Sequence, residues 1–498
     1  MQDPLKTIQN KAAEIADFKK TLSLLRWDQE VMMPPKGAKS RSRLTATMSS
    51  HLHRLQTNPE LEEALNKARD EQPSDLKTRK NVELMLEDIQ KVKKMPEDFV
   101  YRKKKAISEA FGQWKQAKEE KDFSRFAPYL KKLVDFNLEQ SELIGYKEHP
   151  YDPHLDNYDK GLTLATTKEI FGRIRDPLIK LIDELQSAET PQRDFLNNTF
   201  DPEVQKSISH QIIKDLGYDT QAGRLDVSPH PFTSSFGPGD TRITTRYDDN
   251  DLMDGFLSTV HETGHALYDQ GLDSSQYGLP AGEPISMAIH ESQSRLYENH
   301  IARSRPFAEA YFETFKHHFP KALKNVTPDQ FFRAINIIEP SLIRTAADEL
   351  TYHMHIIIRY EIERDLVEEK IKAEEVRDAW NDKYRDYLGV TVPDDSKGVL
   401  QDVHWSHGHF GYFPTYSLGS FYAAQFYNKA NEQMPDLPSK IQNKDFQPLL
   451  SWLRENIHQH GRVYNSNEMA EKVTGEPLNP QHFLDYARKK FREVYGIQ

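Results

Sequence analysis

The 498-residue chain is long enough to bury a large core, and its formal net charge of -11 argues against a nucleic-acid surface or an anionic membrane as partner. It contains no cysteine, which excludes disulfides, thiolate zinc sites and a cysteine nucleophile, and leaves histidine and carboxylate as the side chains for any zinc site. No apolar run approaches the ~18 residues that a membrane span requires.

The opening Met1-Gln2-Asp3-Pro4-Leu5-Lys6 leads into a charged helical pattern without an apolar core segment, so no signal peptide is expected. Residues 1 to about 145 read as several long amphipathic helices. Breaks are expected at Pro34-Pro35 and Gln72-Pro73, and a helix start at Pro96. The charge-rich stretch from Lys91 to Lys121 sustains no heptad and reads as the solvated face of a long helix. Thr166-Thr167-Lys168-Glu169 suggests a capping box ahead of Ile170, and Asp201-Pro202 an N-cap and first turn for a helix ending near Gly217.

Between about Gly223 and Asp248 the pattern changes. Arg242-Ile243-Thr244-Thr245-Arg246-Tyr247 is β-branched and alternating, and follows the turn-forming Gly237-Pro238-Gly239-Asp240. One or two hairpins are expected here, with an edge that can pair with extended substrate backbone. Helical patterns then resume over Ile285–Ala302, Pro328–Ile338, Leu342 to about Glu369, and Glu374–Leu388. Residues 392–413 are irregular and rich in Gly, His and aromatics. Tyr416–Asn428, Phe446–Gln459 and Pro480–Tyr495 read as closing helices. With no internal repeat or linker, residues 1–498 form one large, mainly α body.

The strongest chemical signal is His261-Glu262-Thr263-Gly264-His265. On a helix, residues i and i+4 share a face, so both imidazoles can meet one metal ion while Glu262 activates a water without ligating. Leu252, Phe256, Leu257, Val260 and Leu267 recur at helical spacing around it. A catalytic zinc takes three protein ligands, and Glu291 in His290-Glu291-Ser292-Gln293 is the best third candidate. Spacing alone does not select it in so acidic a chain.

These two motifs, with His230-Pro231-Phe232, Asp240-Thr241-Arg242-Ile243-Thr244, Ile343-Arg344-Thr345-Ala346-Ala347-Asp348 and Gly398-Val399-Leu400-Gln401-Asp402-Val403-His404-Trp405, resemble the signature blocks of the carboxypeptidase Taq family of zinc metallocarboxypeptidases, in order. Weaker likenesses at Trp27-Asp28, Met33-Pro34-Pro35 and Leu155-Asp156-Asn157-Tyr158 extend the match over nearly the whole chain. The resemblance implies an almost all-helical, butterfly-like fold similar to neurolysin and angiotensin-converting enzyme, with a groove between two helical halves. It also implies a homodimer and the removal of single residues from peptide C-termini with broad preference.

The expected roles follow residue by residue. His261, His265 and Glu291 hold one Zn2+ per subunit, a site type that also accepts Co2+ or Mn2+. Glu262 acts as base and then acid. Arg344 recognises the free carboxylate of the substrate through its planar fork or is structural, and Asp348 at i+4 orients it or forms an ordinary helical ion pair with it. Tyr416 supports the oxyanion, helped by a histidine of the same segment; His404, His407, His409 and Tyr412 are the neighbours in reach, with His407 the catalytic choice and His404 and Tyr412 substrate contacts. Asp240 and Arg242 belong to the β edge or form a structural ion pair. Asp402, Asp269 or Asp273 fixes the tautomer of a metal-bound histidine. His353 and His355 read as packing or surface residues. Competing readings are an oligopeptidase cutting within short peptides and a helical scaffold without activity; a cytoplasmic location is expected.

Overall fold

The computed structural model describes residues 3–497; the Met1-Gln2 start of the chain lies outside them. The fold is mainly helical with one small sheet, as expected. The chain divides into two compact units, and one of the crossings between them falls inside the Phe413–Gln433 helix. Among the described residues, the first unit comprises 3–92, 192–335 and 423–478, and the second comprises 93–191, 336–422 and 479–497.

Local signals set many of the helix ends. The Pro4–Val31 helix stops before Pro34-Pro35, and the Pro59–Asp70 helix stops before Gln72-Pro73. A 24-residue helix, Glu97–Glu120, follows Pro96 and buries only Phe99 and three alanines, which explains why its sequence is so charged. Asp201 caps the Pro202–Asp215 helix by accepting from Glu203 N–H. The box at Thr166–Glu169 is displaced: Thr163 is the cap, accepting from Thr166 N–H, and the helix already begins at Leu164.

In the first unit the strands are β1 (Leu225–Val227), β2 (Thr233–Ser235) and β3 (Thr241–Thr245). The spatial order is β1-β3-β2, so β3 is central. β2 and β3 form the expected hairpin, with Thr233 opposite Ile243, whereas β1 runs parallel to β3 and makes no hairpin. Phe236 N–H donates to Asp240 O across the turn, and Gly239 there adopts φ +84°, a left-handed conformation that glycine enters without steric cost.

The motif helix, Leu252–Asp269, starts where Asp251 accepts from the N–H groups of Met253 and Asp254. Leu252, Phe256, Leu257, Val260 and Leu267 are all buried, so the expected apolar face is real and fixes the helix against the sheet and its helical neighbours. The expected Ile285–Ala302 helix is composite. Ser286 caps a short α-helix, Met287–Arg295, which widens into a π-helix over Leu296–Ala302. Such π turns are frequent at functional sites.

In the second unit, Thr351–Val367 is buried on all sides and carries His353, His355, Arg359, Glu361 and Glu363 into the interior. It is shorter than expected. Residues 344–346 form a separate 3₁₀ turn, so Arg344 and Asp348 share no helical face. Asp348 instead caps the helix, accepting from the N–H groups of Leu350 and Thr351 and from that of Glu339.

Candidate metal centre

Three ligand-type side chains converge in the first unit. One ligand atom from each of His261, His265 and Glu291 lies within 4.8 Å of the others. Glu291 Oε2 stands 3.8 Å from His261 Nε2 and 3.5 Å from His265 Nε2. A tetrahedral ion with bonds of about 2.1 Å spaces its ligands about 3.4 Å apart, so the donor set and its spacing suit zinc.

The two ring orientations are set from behind. His261 Nδ1 is 2.8 Å from Glu298 Oε2, so an Nδ1–H donates there and the Nε2 lone pair is left facing Glu291. His265 Nδ1 faces His290 Nδ1 at 2.5 Å, and His290 Nε2 is 3.1 Å from Asp269 Oδ1. The proton assignment compatible with a bound metal has His265 donating to His290, which donates to Asp269. It too leaves Nε2 of His265 free to ligate. Asp269 therefore serves His265 through His290 rather than directly.

Arg295 Nε donates to Glu291 Oε1 at 2.7 Å, one helical turn further along, and Arg295 Nη1 donates to Glu298 at 3.1 Å. Burial raises the pKa of Glu291, but Arg295 and the two histidines overcome it and hold the carboxyl well below its usual range. Glu298 is likewise brought down to about 2 against the effect of burial, chiefly by Arg295 and His261. Both carboxylates are thus ionised at neutral pH. Glu262 is 7% exposed and accepts at Oε2 from Thr233 Oγ1 at 2.6 Å.

Gly264 explains how close the two helices come. A Cβ at this position would meet Gln293 O and Ser294 Cα, each at 2.6 Å, and these are backbone atoms that cannot swing aside. Gly264→Ala is therefore expected to push the Met287–Arg295 helix, with Glu291, away from the histidine pair. Metal affinity should fall about 10- to 100-fold, the range for disturbed ligand support. Metal titration with circular dichroism checks this: unchanged affinity in a folded variant would contradict it.

The second unit assembles a different cluster. Arg344, 7% exposed, donates from Nε to Asp402 Oδ1 at 3.0 Å and from Nη1 to Tyr352 Oη at 3.2 Å. Arg359, which is fully buried, donates from Nε to Asp402 Oδ2 at 2.6 Å and stacks over Trp380. Asp402 is thus taken by two arginines, and Asp273 pairs with Lys77 at 2.6 Å; neither is an acceptor for the metal-site histidines. The Arg344 guanidinium lies 5.1 Å from the Tyr416 ring centre, Tyr416 Oη is 3.3 Å from His404 Nε2, and Tyr412 is in ring contact with both. Burial brings the His404 imidazole down to about 3, so it is neutral. His407 instead stacks on Phe111 at 4.7 Å, and His409 is exposed. Glu363 gathers this segment by accepting from Tyr151 Oη, Trp405 Nε1 and Gly411 N–H.

Asp240 and Arg242 form a forked ion pair with two contacts of 2.8 Å, and Arg242 stacks on Trp27 and Phe236. Arg242 lies on the central strand, whose two backbone sides are already paired. His353 bonds Ser417 and His355 bonds Tyr384; both are buried packing residues. Sequence reasoning missed Thr233, Glu298 and the interposed His290, while Asp269 was one of its three candidate acceptors. Of the supporting residues it did not name, only Arg295, four residues after Glu291, carried a local signal.

Known proteins resemble this chain over nearly its whole length. Residues 7–491 fit the model of the carboxypeptidase Taq (M32) metallopeptidases. The chain belongs to that family. It is accordingly a metal-dependent peptide-bond hydrolase, built on the family's mainly helical fold. Carboxypeptidase 1 of Bacillus subtilis is 38% identical over 484 residues, covering 97% of this chain and 96% of the relative. Thermostable carboxypeptidase 1 of Pyrococcus furiosus is 36% identical over 493 residues, covering 98% of each chain. The crystal structure of the M32 carboxypeptidase from Deinococcus radiodurans superposes with a TM-score of 0.97 at 37% identity over 99% of each chain.

Proposed function

We propose that the enzyme is a zinc carboxypeptidase that removes single residues, with broad preference, from the free C-termini of peptides. The observation that carries this reading is the His261–His265–Glu291 cluster with the Glu262 carboxylate beside it on the same helix. Zinc held there supplies a Lewis acid and acidifies water, and Co2+ or Mn2+ can replace it. Glu262 takes the proton of the attacking water and passes it to the leaving amine. Intact Glu262 in a metallopeptidase family sets aside the scaffold reading.

The preference for a free terminus rests on Arg344. Arg344, Arg359 and Asp402 together carry one buried positive charge in excess, with neutral His404 and the phenols of Tyr352 and Tyr416 around it. A substrate carboxylate neutralises that charge. Tyr416, with His404 as its hydrogen-bond partner, donates to the developing oxyanion; the geometry favours His404 over His407 for this support. Tyr412 completes the aromatic wall, and Asp240 with Arg242 stiffens the hairpin whose outer strand is β2. We read residues 1–498 as one catalytic domain, acting as a homodimer in the cytoplasm.

The test uses one peptide in two forms, with a free and with an amidated C-terminus, and mass analysis of the products. Stepwise loss of C-terminal residues from the free form alone is expected. Efficient internal cleavage of the amidated form would favour the oligopeptidase reading instead.

A further inference from the structure

We propose that Thr233, the first residue of β2, is the positioning residue of the general base. The proposal rests on the assignment of Glu262 as that base. Thr233 Oγ1 lies 2.6 Å from Glu262 Oε2 and 3.0 Å from the backbone oxygen of Glu262. A hydroxyl has one proton, and donation to a carboxylate is the stronger of the two bonds. Among the described residues Thr233 is the one hydrogen-bond donor to the Glu262 side chain. Glu262 as a residue is 7% exposed, so most of its side chain is packed within the protein.

This arrangement divides the two carboxylate oxygens. Oε2 is engaged by Thr233, which leaves Oε1 to accept the proton of the attacking water and to return it to the leaving amine. Without the hydroxyl, the carboxylate is free to rotate, and the acceptor oxygen no longer has a fixed place. The β-branched side chain restricts χ1, which makes threonine better suited than serine to hold one hydroxyl direction. The strand is itself anchored, since Thr233 pairs with Ile243 of β3 and Lys20 Nζ donates to Ser235 O at 3.0 Å. The base is therefore held from the sheet, across 29 residues of sequence, and not from its own helix.

Thr233→Val, Thr233→Ala and Thr233→Ser, each made in the wild type and in Glu262→Gln, test the idea with the metal-loaded enzyme. Thr233→Val and Thr233→Ala are expected to lower kcat about 100-fold, the cost of displacing a reacting group by roughly 1 Å, with KM and bound metal unchanged. Thr233→Ser should recover most of the rate. In the Glu262→Gln background, all three should have no further effect. Wild-type kcat in Thr233→Val and Thr233→Ala, while Glu262→Gln is inactive, overturns the positioning role alone. Loss of metal in step with activity, or no recovery by serine, also overturns it in favour of a structural role. Full activity in Glu262→Gln by itself overturns the base assignment, and the proposal with it.

Discussion

Glu262→Gln is expected to keep its metal and lose activity by about a thousandfold or more, within the range by which positioned acid–base groups accelerate proton transfer and toward its upper end. The change is nearly isosteric. The amide oxygen can still accept from Thr233 Oγ1, so the side chain keeps its place. The ligand atoms belong to His261, His265 and Glu291, whose supports in Glu298, His290 and Arg295 do not involve residue 262. What is removed is only the capacity to take a proton. The measurement pairs kcat on an unblocked peptide with metal content of the same preparation. Unchanged kcat with metal bound would sink the base assignment; loss of metal would show that the site is less independent of Glu262 than its geometry indicates.

The second large effect separates two residues that share one ion pair. Arg344→Met removes the excess charge of the buried cluster and leaves Arg359 with Asp402, a neutral pair. Stability should change little, while kcat/KM on free C-termini falls by about 100-fold or more, as expected when one partner of a desolvated charge pair is lost. Asp402→Asn does the reverse. It leaves Arg344 and Arg359 as two buried cations without their shared anion, and should destabilise the fold by about 3–5 kcal/mol. Asp402 is held ionised: burial opposes its charge, but the two arginines press its pKa far below the usual carboxylate range. Urea unfolding and peptide trimming, run on both variants, distinguish the effects. A strongly destabilised Arg344→Met of undiminished kcat/KM would contradict the carboxylate role, and a stable Asp402→Asn would contradict the charge balance of the buried cluster.

The contrast between Arg344 and Glu262 also marks where sequence reasoning holds. The i, i+4 spacing of His261 and His265 is a local property of a helix, and the apolar positions around it had to be buried for that helix to pack. Capping at Asp201, the break at Gln72-Pro73 and the start at Pro96 are likewise decided within one turn of backbone. Asp348 shows the limit. Its spacing to Arg344 suggested a helical pair, but a short 3₁₀ turn at 344–346 removed the common face, and the aspartate capped the next helix.

By itself, the amino-acid sequence determined the helical class, the His–Glu–His face of the motif helix and, through its signature blocks, the family. Tertiary structure alone decided which acidic and hydroxyl groups complete the two clusters. Thr233 reaches Glu262 across 29 residues, Glu298 reaches His261 across 37, and Asp402 reaches Arg344 across 58. The reason is physical. A buried polar group must find a partner, and many neighbours of matching charge stand in a chain with 77 acidic residues. Packing of the apolar faces determines which one arrives.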